Sequence, residues 1–303
     1  MPLSPPQFLT RWPALALIVN ALVWGTSWWP FRQLQALGLH PLWATVFVYA
    51  LAAIVIVIAR PRAVGQLLRT PVLWVLVLAS GTTNAAFNWG VVIGDVVRVV
   101  LLFYLMPLWS VLLARVLLRE ALTLGAAARV LIALTGAAIV LWPEGASGLA
   151  NLPLPHSLPD WLGIVGGFSF ALNNVLLRRE AHRPEEGRAL AMFSGGVLVA
   201  GVLAGALATG GGVPLPPAPE PLWLLGALAL ALLFLVGNLA LQFGAARLPA
   251  NVTSVVMLTE VVFAAVSAVA LGGTVLSGTV LLGGGLIVLA ALLAAFDPAG
   301  AAH

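Results

Sequence analysis

Residues 222–246 read LWLLGALALALLFLVGNLALQFGAA, a run without a single charged side chain. An α-helix rises 1.5 Å per residue, so about 20 apolar residues cross the roughly 30 Å hydrocarbon core of a bilayer. The run predicts a transmembrane helix, and similar runs recur along the chain. The sequence predicts an all-α membrane protein with ten transmembrane helices, at residues 13–34, 41–59, 72–93, 96–118, 122–142, 158–177, 189–209, 222–246, 249–271 and 276–296.

The composition of the whole chain agrees with a lipid environment. Of its 303 residues 61% are hydrophobic and 8% are charged, whereas soluble domains have roughly 45–50% and about 25%. The formal net charge of +4 is too small to indicate a nucleic-acid partner. The chain has no Cys, which excludes disulfides, thiolate metal sites and cysteine catalysis. We expect no metal and no other cofactor.

The basic residues are all Arg, and they sort by loop. Only Arg32 and Arg98 lie near one side of the predicted membrane. The opposite side holds Arg11, Arg60, Arg62, Arg69, Arg115, Arg119, Arg178, Arg179, Arg183, Arg188 and Arg247. By the positive-inside rule, both termini are expected in the cytoplasm of a cell with a bacterial-type inner membrane. This orientation requires an even number of spans, which ten helices satisfy.

The two halves of the chain resemble each other weakly at a shift of 154 residues. Trp109 falls on Phe263, and Leu122-Thr123 falls on Leu276-Ser277. Five helices per half is an odd number, so the second half would lie upside down, an arrangement common in secondary transporters. We therefore expect a first repeat at 1–143, a connecting loop at 144–160 and an inverted repeat at 161–303. A loose alignment between unrelated apolar helices is an equal alternative.

Four short motifs follow one another along the chain. They are Trp24-Gly25-Thr26-Ser27, Leu105-Met106-Pro107-Leu108, Glu120-Ala121-Leu122-Thr123 and Leu258-Thr259-Glu260-Val261. Together they resemble the drug/metabolite transporter superfamily, EamA type, over nearly the whole chain. The resemblance implies two inverted five-helix repeats around a central cavity lined by predicted helices one, three, four, six, eight and nine. It implies a secondary transporter, and the overall impression is closest to exporters of aromatic amino acids and organic cations.

The predicted helices contain one proline of the family pattern and depart from that pattern at two places. Pro107 lies inside the fourth predicted helix, where the carbonyl of Phe103 loses its donor, so we expect a kink that acts as a hinge. In the second half Val261 stands where the family usually has Pro, which predicts a straighter ninth helix. Many relatives also carry an Arg in the second helix, where this chain has Val48-Tyr49.

Amide side chains recur inside the predicted spans. A polar group is costly within a bilayer, so such residues are candidates for a functional site. We hypothesise that they bind the polar groups of a small-molecule substrate in a wet cavity; the alternative is hydrogen bonding between neighbouring helices. The candidates are Asn20, Asn84, Asn88, Asn173, Asn174, Asn238 and Gln242.

Aromatic residues occupy the middle of several of the same spans. Their rings could stack on flat substrates or attract organic cations, and plain packing is an equal alternative. The candidates for substrate binding are Trp24, Trp28, Phe87, Tyr104 and Phe170, with Phe31 on the same stripe.

Glu260 is the acidic residue near the middle of a span. An unpaired carboxylate there is costly, so a partner or bound proton is expected. Glu260 could attract a substrate amine or relay protons, and the alternative is a buried pair with an Arg such as Arg129. Its role is therefore either coupling or structural.

Three other functions compete with this hypothesis. A carrier of nucleotide sugars or other phosphorylated metabolites needs several cations facing the cavity, and only Arg98 and Arg129 are predicted to lie inside the membrane. An intramembrane enzyme needs a nucleophile with a base or a metal cluster, and the four His residues fall in loops or at the terminus, so no catalytic residue is expected. A structural protein would not need amides in a cavity. The oligomeric state stays open, with a monomer as the working hypothesis.

Overall fold

The computed structural model is helical, with turns and short irregular segments, throughout the residues that it describes, which are 7–118, 124–142, 154–180, 182–245, 256–272 and 277–295. A π-helical turn at Ala114–Leu118 follows α7. The helices are α1 (Gln7–Thr26), α2 (Trp28–Ala36), α3 (Pro41–Ala59), α4 (Arg62–Arg69), α5 (Pro71–Ile93), α6 (Val96–Phe103), α7 (Met106–Leu113), α8 (Leu124–Leu141), α9 (Leu158–Arg179), α10 (Glu185–Thr209), α11 (Pro221–Ala245), α12 (Thr259–Ala270) and α13 (Gly278–Ala295).

Eight segments of the described chain are helical, long and apolar enough to cross a membrane. Two of them are interrupted: α1 and α2 share the segment Trp12–Ala36, and α6 and α7 share Val96–Leu117. The apolar helices near the C-terminus, at Thr259–Ala270 and Gly278–Leu293, are shorter. The predicted spans 249–271 and 276–296 extend beyond the described residues. The chain is thus a multi-pass α-helical membrane protein, and ten helices remain a prediction.

The structure differs from the sequence prediction at Pro13 and in the segment between α3 and α5. Pro13 was expected at the start of the first helix, but α1 begins earlier and contains it. Prolines are tolerated inside membrane helices because neighbouring groups satisfy the freed carbonyl. The structure also adds α4, in a segment predicted to be a loop. It forms because Ala63 and Leu67, one turn apart, are both buried on one face.

Most packing between helices joins the two halves of the chain. The first long helix of one half packs on the later helices of the other: α1 contacts α11 and α12, and α9 contacts α5 and the α6–α7 segment. In addition, α3 packs against α10 and α8 packs against α13. If each helix is replaced by the helix at the same place in the other half, the same set of contacts results. The pattern supports two related repeats, and their inverted orientation remains a prediction.

Both halves contain a helix break at the corresponding place. In the first half α6 ends at Phe103 and α7 begins at Met106, beside the predicted kink at Pro107. In the second half the chain turns at Leu258 before α12, and the amide of Val261 donates to the Leu258 carbonyl at 3.1 Å. The sequence did not predict this break, and the straighter ninth helix expected from Val261 stays a prediction. This break forms without proline: the Val261 amide bonds to a carbonyl three residues earlier instead of the four residues usual in an α-helix.

The outer helices α8 and α13 approach each other through glycine. A Cβ atom built on Gly283 would lie 2.6 Å from the carbonyl oxygen of Gly136, and a Cβ on Gly136 would lie 2.6 Å from that of Gly283. Real side chains do not fit at that separation, so both positions must remain glycine. Such contacts are typical of helix pairs in membranes, where small residues permit close packing.

Candidate functional site

Nine aromatic side chains form one continuous cluster inside the described structure. Neighbouring ring centroids are separated by 4.7 to 6.3 Å. We call this set the ring cluster, and both halves of the chain contribute to it. Its members are Trp24, Phe31, Tyr49, Phe87, Phe103, Tyr104, Phe170, Phe193 and Phe234.

Trp24 connects the two sides of the ring cluster. Its indole is stacked on Phe234 at 4.7 Å with an interplanar angle of 19°, and it meets Phe87 edge-on at 6.3 Å. Trp24 and Phe170 are half-buried, whereas Phe87, Phe234 and the remaining members are buried. Stacked and edge-on contacts are also the geometries in which an aromatic side chain receives a flat apolar ligand.

Asn84 and Asn88 are one helical turn apart on α5, and both bind α3. The hydroxyl of Tyr49 donates to Asn84 Oδ1 at 2.6 Å, while Asn88 Nδ2 donates to Thr45 Oγ1 at 3.1 Å. Asn84 Nδ2 additionally donates to the Ser80 carbonyl of its own helix. These two amides therefore form hydrogen bonds between neighbouring helices, which is the alternative to substrate binding that the sequence left open.

Three asparagine side chains in the described interior have an amide oxygen without a hydrogen-bond partner. Asn20 is fully buried, and its Nδ2 donates to the Gly237 carbonyl of α11 at 2.8 Å. Asn173 Nδ2 donates to Asn174 Oδ1 at 3.4 Å, and Asn174 itself is exposed. The Oδ1 atoms of Asn20, Asn88 and Asn173 are left as buried acceptors. A buried acceptor without a donor is costly in a native protein, so a substrate donor would find favourable partners here.

The other predicted site residues lie further along these helices. Asn238 is half-buried on α11 and already has an interaction within the protein. Gln242 lies one turn later on the same helix, and Pro107 is the second residue of α7. Pro107 thus lies directly after the break at Tyr104 and Leu105, where a hinge was predicted.

Glu260 and Tyr104 pair across the two helix breaks. The hydroxyl of Tyr104 donates to Glu260 Oε2 at 3.0 Å, and both side chains are buried. Tyr104 lies between α6 and α7, and Glu260 is in the first turn of α12. A helix N-terminus favours a negative charge. The pair connects the ring cluster, through Tyr104, to the acidic residue that the sequence singled out.

Trp28 lies outside the ring cluster and is bound on both sides by polar groups. Its Nε1 donates to Ser267 Oγ of α12 at 3.0 Å, and the guanidinium of Arg32 lies 4.8 Å from its ring centroid. Arg32 also donates to the carbonyls of Val92 at 3.1 Å and Gly94 at 2.6 Å, at the end of α5. Arg32 is therefore held by the protein and is not available to an anionic substrate in this conformation.

Arg98 is likewise engaged by the protein. Its Nε and Nη2 donate to the two carboxylate oxygens of Asp160 at 2.6 and 3.2 Å, and its Nη1 donates to the Val140 carbonyl at 2.5 Å. The three residues connect α6, α8 and α9. The two arginines that depart from the predicted charge asymmetry are thus both structural.

Four members of the ring cluster were missed as site residues by the sequence reasoning. Tyr49, Phe103, Phe193 and Phe234 look like other apolar residues in uniformly apolar helices. One signal was present: Phe234 precedes Asn238 by four residues, so the two share a helix face. Among the described residues, no group of three or more His, Asp or Glu is placed to hold a metal ion.

Comparisons with known proteins agree with this architecture. One solved crystal structure of a protein is similar in fold, with a TM-score of 0.58 and 21% identity, over 93% of this chain and 96% of the other. No curated protein matches the chain significantly. The sequence profile of the EamA-like transporter family matches residues 11–142 and again residues 157–296. The chain belongs to the EamA-like transporter family and is a membrane transporter of small molecules.

Proposed function

We propose that the protein is a secondary transporter of the inner membrane that exports aromatic amino acids and related organic cations. In this proposal both termini are cytoplasmic, and the two repeats are inverted and alternate in exposing a central site to either side. The observation that carries the proposal is the ring cluster, because its members come from both halves and surround Trp24. Motion of one half against the other would open the cluster and expose stacking faces.

The polar groups around the rings suit an amine. Unpaired amide oxygens on Asn20, Asn88 and Asn173 are acceptors, and Glu260 supplies a carboxylate. An ammonium group is a donor and a cation, so it complements both kinds of group, and cations are also attracted to aromatic faces. The ring of an aromatic amino acid would stack on Trp24 while its amino group reaches these acceptors.

Glu260 has a second role in this proposal. Its pairing with Tyr104 joins the α6–α7 break to the start of α12, and both breaks can flex as hinges beside Pro107. Arrival of a proton or a substrate amine at Glu260 would weaken the Tyr104 contact. That change would favour the alternative access state.

A carrier of phosphorylated metabolites is less well supported. Such a site needs several cations directed at the substrate, whereas Arg32 and Arg98 are held by carbonyls and by Asp160. An intramembrane enzyme is also less well supported, because the chain belongs to a transporter family.

Counterflow in proteoliposomes tests the proposal with aromatic, aliphatic, cationic and phosphorylated substrates, with and without a pH gradient. We expect selective counterflow of aromatic amines. Phe234→Leu should weaken apparent affinity by about two- to tenfold, the value of one aromatic contact. Phe243→Leu, on an exposed part of the same helix, is the control. Equal counterflow of aliphatic and aromatic substrates, or preference for phosphorylated ones, would contradict the proposal.

A further inference from the structure

The short helix α4 lies between two candidate spans, on the side where the sequence predicts most of the arginines. It connects the end of α3 to the start of α5, both of which are long enough to span. Eight residues cover about 12 Å, too short to cross a bilayer. Ala63 and Leu67 are buried against the protein, whereas Leu68 is 64% exposed. This division is typical of an interfacial helix with an apolar residue in contact with lipid.

The polar side of α4 lines an open cavity of about 400 Å³. Arg62, Gly65, Gln66 and Arg69 recur at intervals of three, one and three residues, so they share one helix face, and Pro61 completes the lining. A Cβ atom at Gly65 would meet no atom within 4 Å. The space beside Gly65, between the two arginines, is therefore open.

Both arginines of this cavity are available to a ligand. Arg62 and Arg69 are exposed, and neither forms a hydrogen bond or a salt bridge with another described residue. The nearby acid Glu186 on α10 accepts from Gln66 Nε2 at 3.0 Å and also interacts electrostatically with Arg60 and Arg62. The lining itself thus carries two positive charges, two helical turns or about 10 Å apart.

We propose that this cavity is a binding site for the phosphate headgroup of an anionic phospholipid, with Arg62 and Arg69 as its ligands. Guanidinium groups bind phosphate oxygens in pairs. Basic pockets at this depth attract anionic headgroups, and the exposed Leu68 would contact the acyl chains. The site is independent of the transported substrate, so it would stand if the proposed function were wrong.

Native mass spectrometry of the detergent-solubilised full chain, titrated with phosphatidylglycerol or phosphatidylcholine, tests this proposal. We expect phosphatidylglycerol to be retained in preference. Each lost arginine should weaken its binding about fivefold, so Arg62→Gln with Arg69→Gln should weaken it roughly 25-fold. Gly65→Leu should also abolish the preference by filling the cavity while both charges remain.

Arg60→Gln is the matched control, because Arg60 carries the same charge at the end of α3 and does not line the cavity. Its loss should therefore weaken phosphatidylglycerol binding clearly less than the loss of Arg62, because Arg60 would make no contact with a headgroup in the cavity. Equal losses for Arg60→Gln and Arg62→Gln would show diffuse attraction and overturn the proposal. Displacement of the lipid by equimolar inorganic phosphate would also overturn it, since the site would then be for a soluble anion. Tryptophan fluorescence on heating verifies that each variant is folded.

Discussion

Replacing Asp160 by Asn tests whether the Arg98–Asp160 pair stabilises the fold or serves transport. The substitution keeps the shape of the side chain and removes its charge. Arg98 Nε and Nη2 lose a charged acceptor at 2.6 and 3.2 Å, and the amide of His156 loses an acceptor at 3.2 Å. Arg98 would then remain partly buried without its counter-ion, because its side chain is only 27% exposed.

The expected cost follows from these contacts. A hydrogen bond to a charged group contributes about 1.5–3 kcal/mol, and breaking a buried ion pair costs about 3–5 kcal/mol. Partial exposure of Arg98 screens the interaction, so we expect Asp160→Asn to lower the free energy of unfolding by about 2–3 kcal/mol. Arg98→Gln should cost a similar amount, and the double variant little more than either single one.

Two measurements distinguish a role of the Arg98–Asp160 pair in stability from a role in substrate binding. Reversible unfolding in mixed micelles gives the free-energy change of each variant, and proteoliposome transport gives the apparent substrate affinity. We expect stability to fall in both single variants while substrate affinity stays within about twofold, because a structural pair makes no contact with substrate. Unchanged stability with a large loss of affinity for an anionic substrate would refute the structural assignment of Arg98.

Three further predictions follow from single contacts. Tyr104→Phe removes the donor to Glu260 Oε2 and should destabilise the protein by about 1–3 kcal/mol in equilibrium unfolding; wild-type stability would contradict the pairing. Gly283→Ala should destabilise the α8–α13 contact, whereas Gly285→Ala, whose Cβ meets nothing within 4 Å, should be neutral or stabilising; equal effects would exclude the close approach. Burial lowers the pKa of His40 below its ordinary value of 6.5, so its cap on the Leu42 amide should stabilise the fold above that value and be lost as the pH falls further. Thermal unfolding measured as a function of pH checks the direction of this change in stability. The control is His40→Asn, because Asn can cap the helix but does not titrate.

The sequence predicted the membrane class and most helix positions because the cost of placing charge in lipid dominates every other local preference. Its errors fall where that cost is small. The segment that forms α4 lies at the membrane surface, where polar residues are tolerated, and its helix is fixed by tertiary burial of Ala63 and Leu67. The break at Leu258 was missed because no proline marks it.

The sequence predicted which residue types belong to the candidate site but not which way their side chains face. Asn84 and Asn88 stood out because amides are rare in apolar spans, yet whether they face a cavity or α3 depends on the rotation of α5 about its axis. Helices that are apolar on every face leave that rotation undetermined in the sequence. For the same reason Phe193 and Phe234 could not be separated from residues that face lipid.

Hydrogen-bonded side chains hold some parts of the structure in place and leave the helix breaks less constrained. Arg32 and Arg98 fasten the ends of helices, and Asn84 with Tyr49 fastens α5 to α3, so these parts resist motion. At the helix breaks at Tyr104 and Leu258, backbone amides instead bond to carbonyls three residues earlier, and the Tyr104 hydroxyl joins the two breaks by donating to the Glu260 carboxylate. Deformation should therefore concentrate at the breaks, beside the ring cluster. Under the proposed function, a substrate that exchanges its own stacking and hydrogen bonds for those of the ring cluster would shift the two halves without disturbing these helix ends.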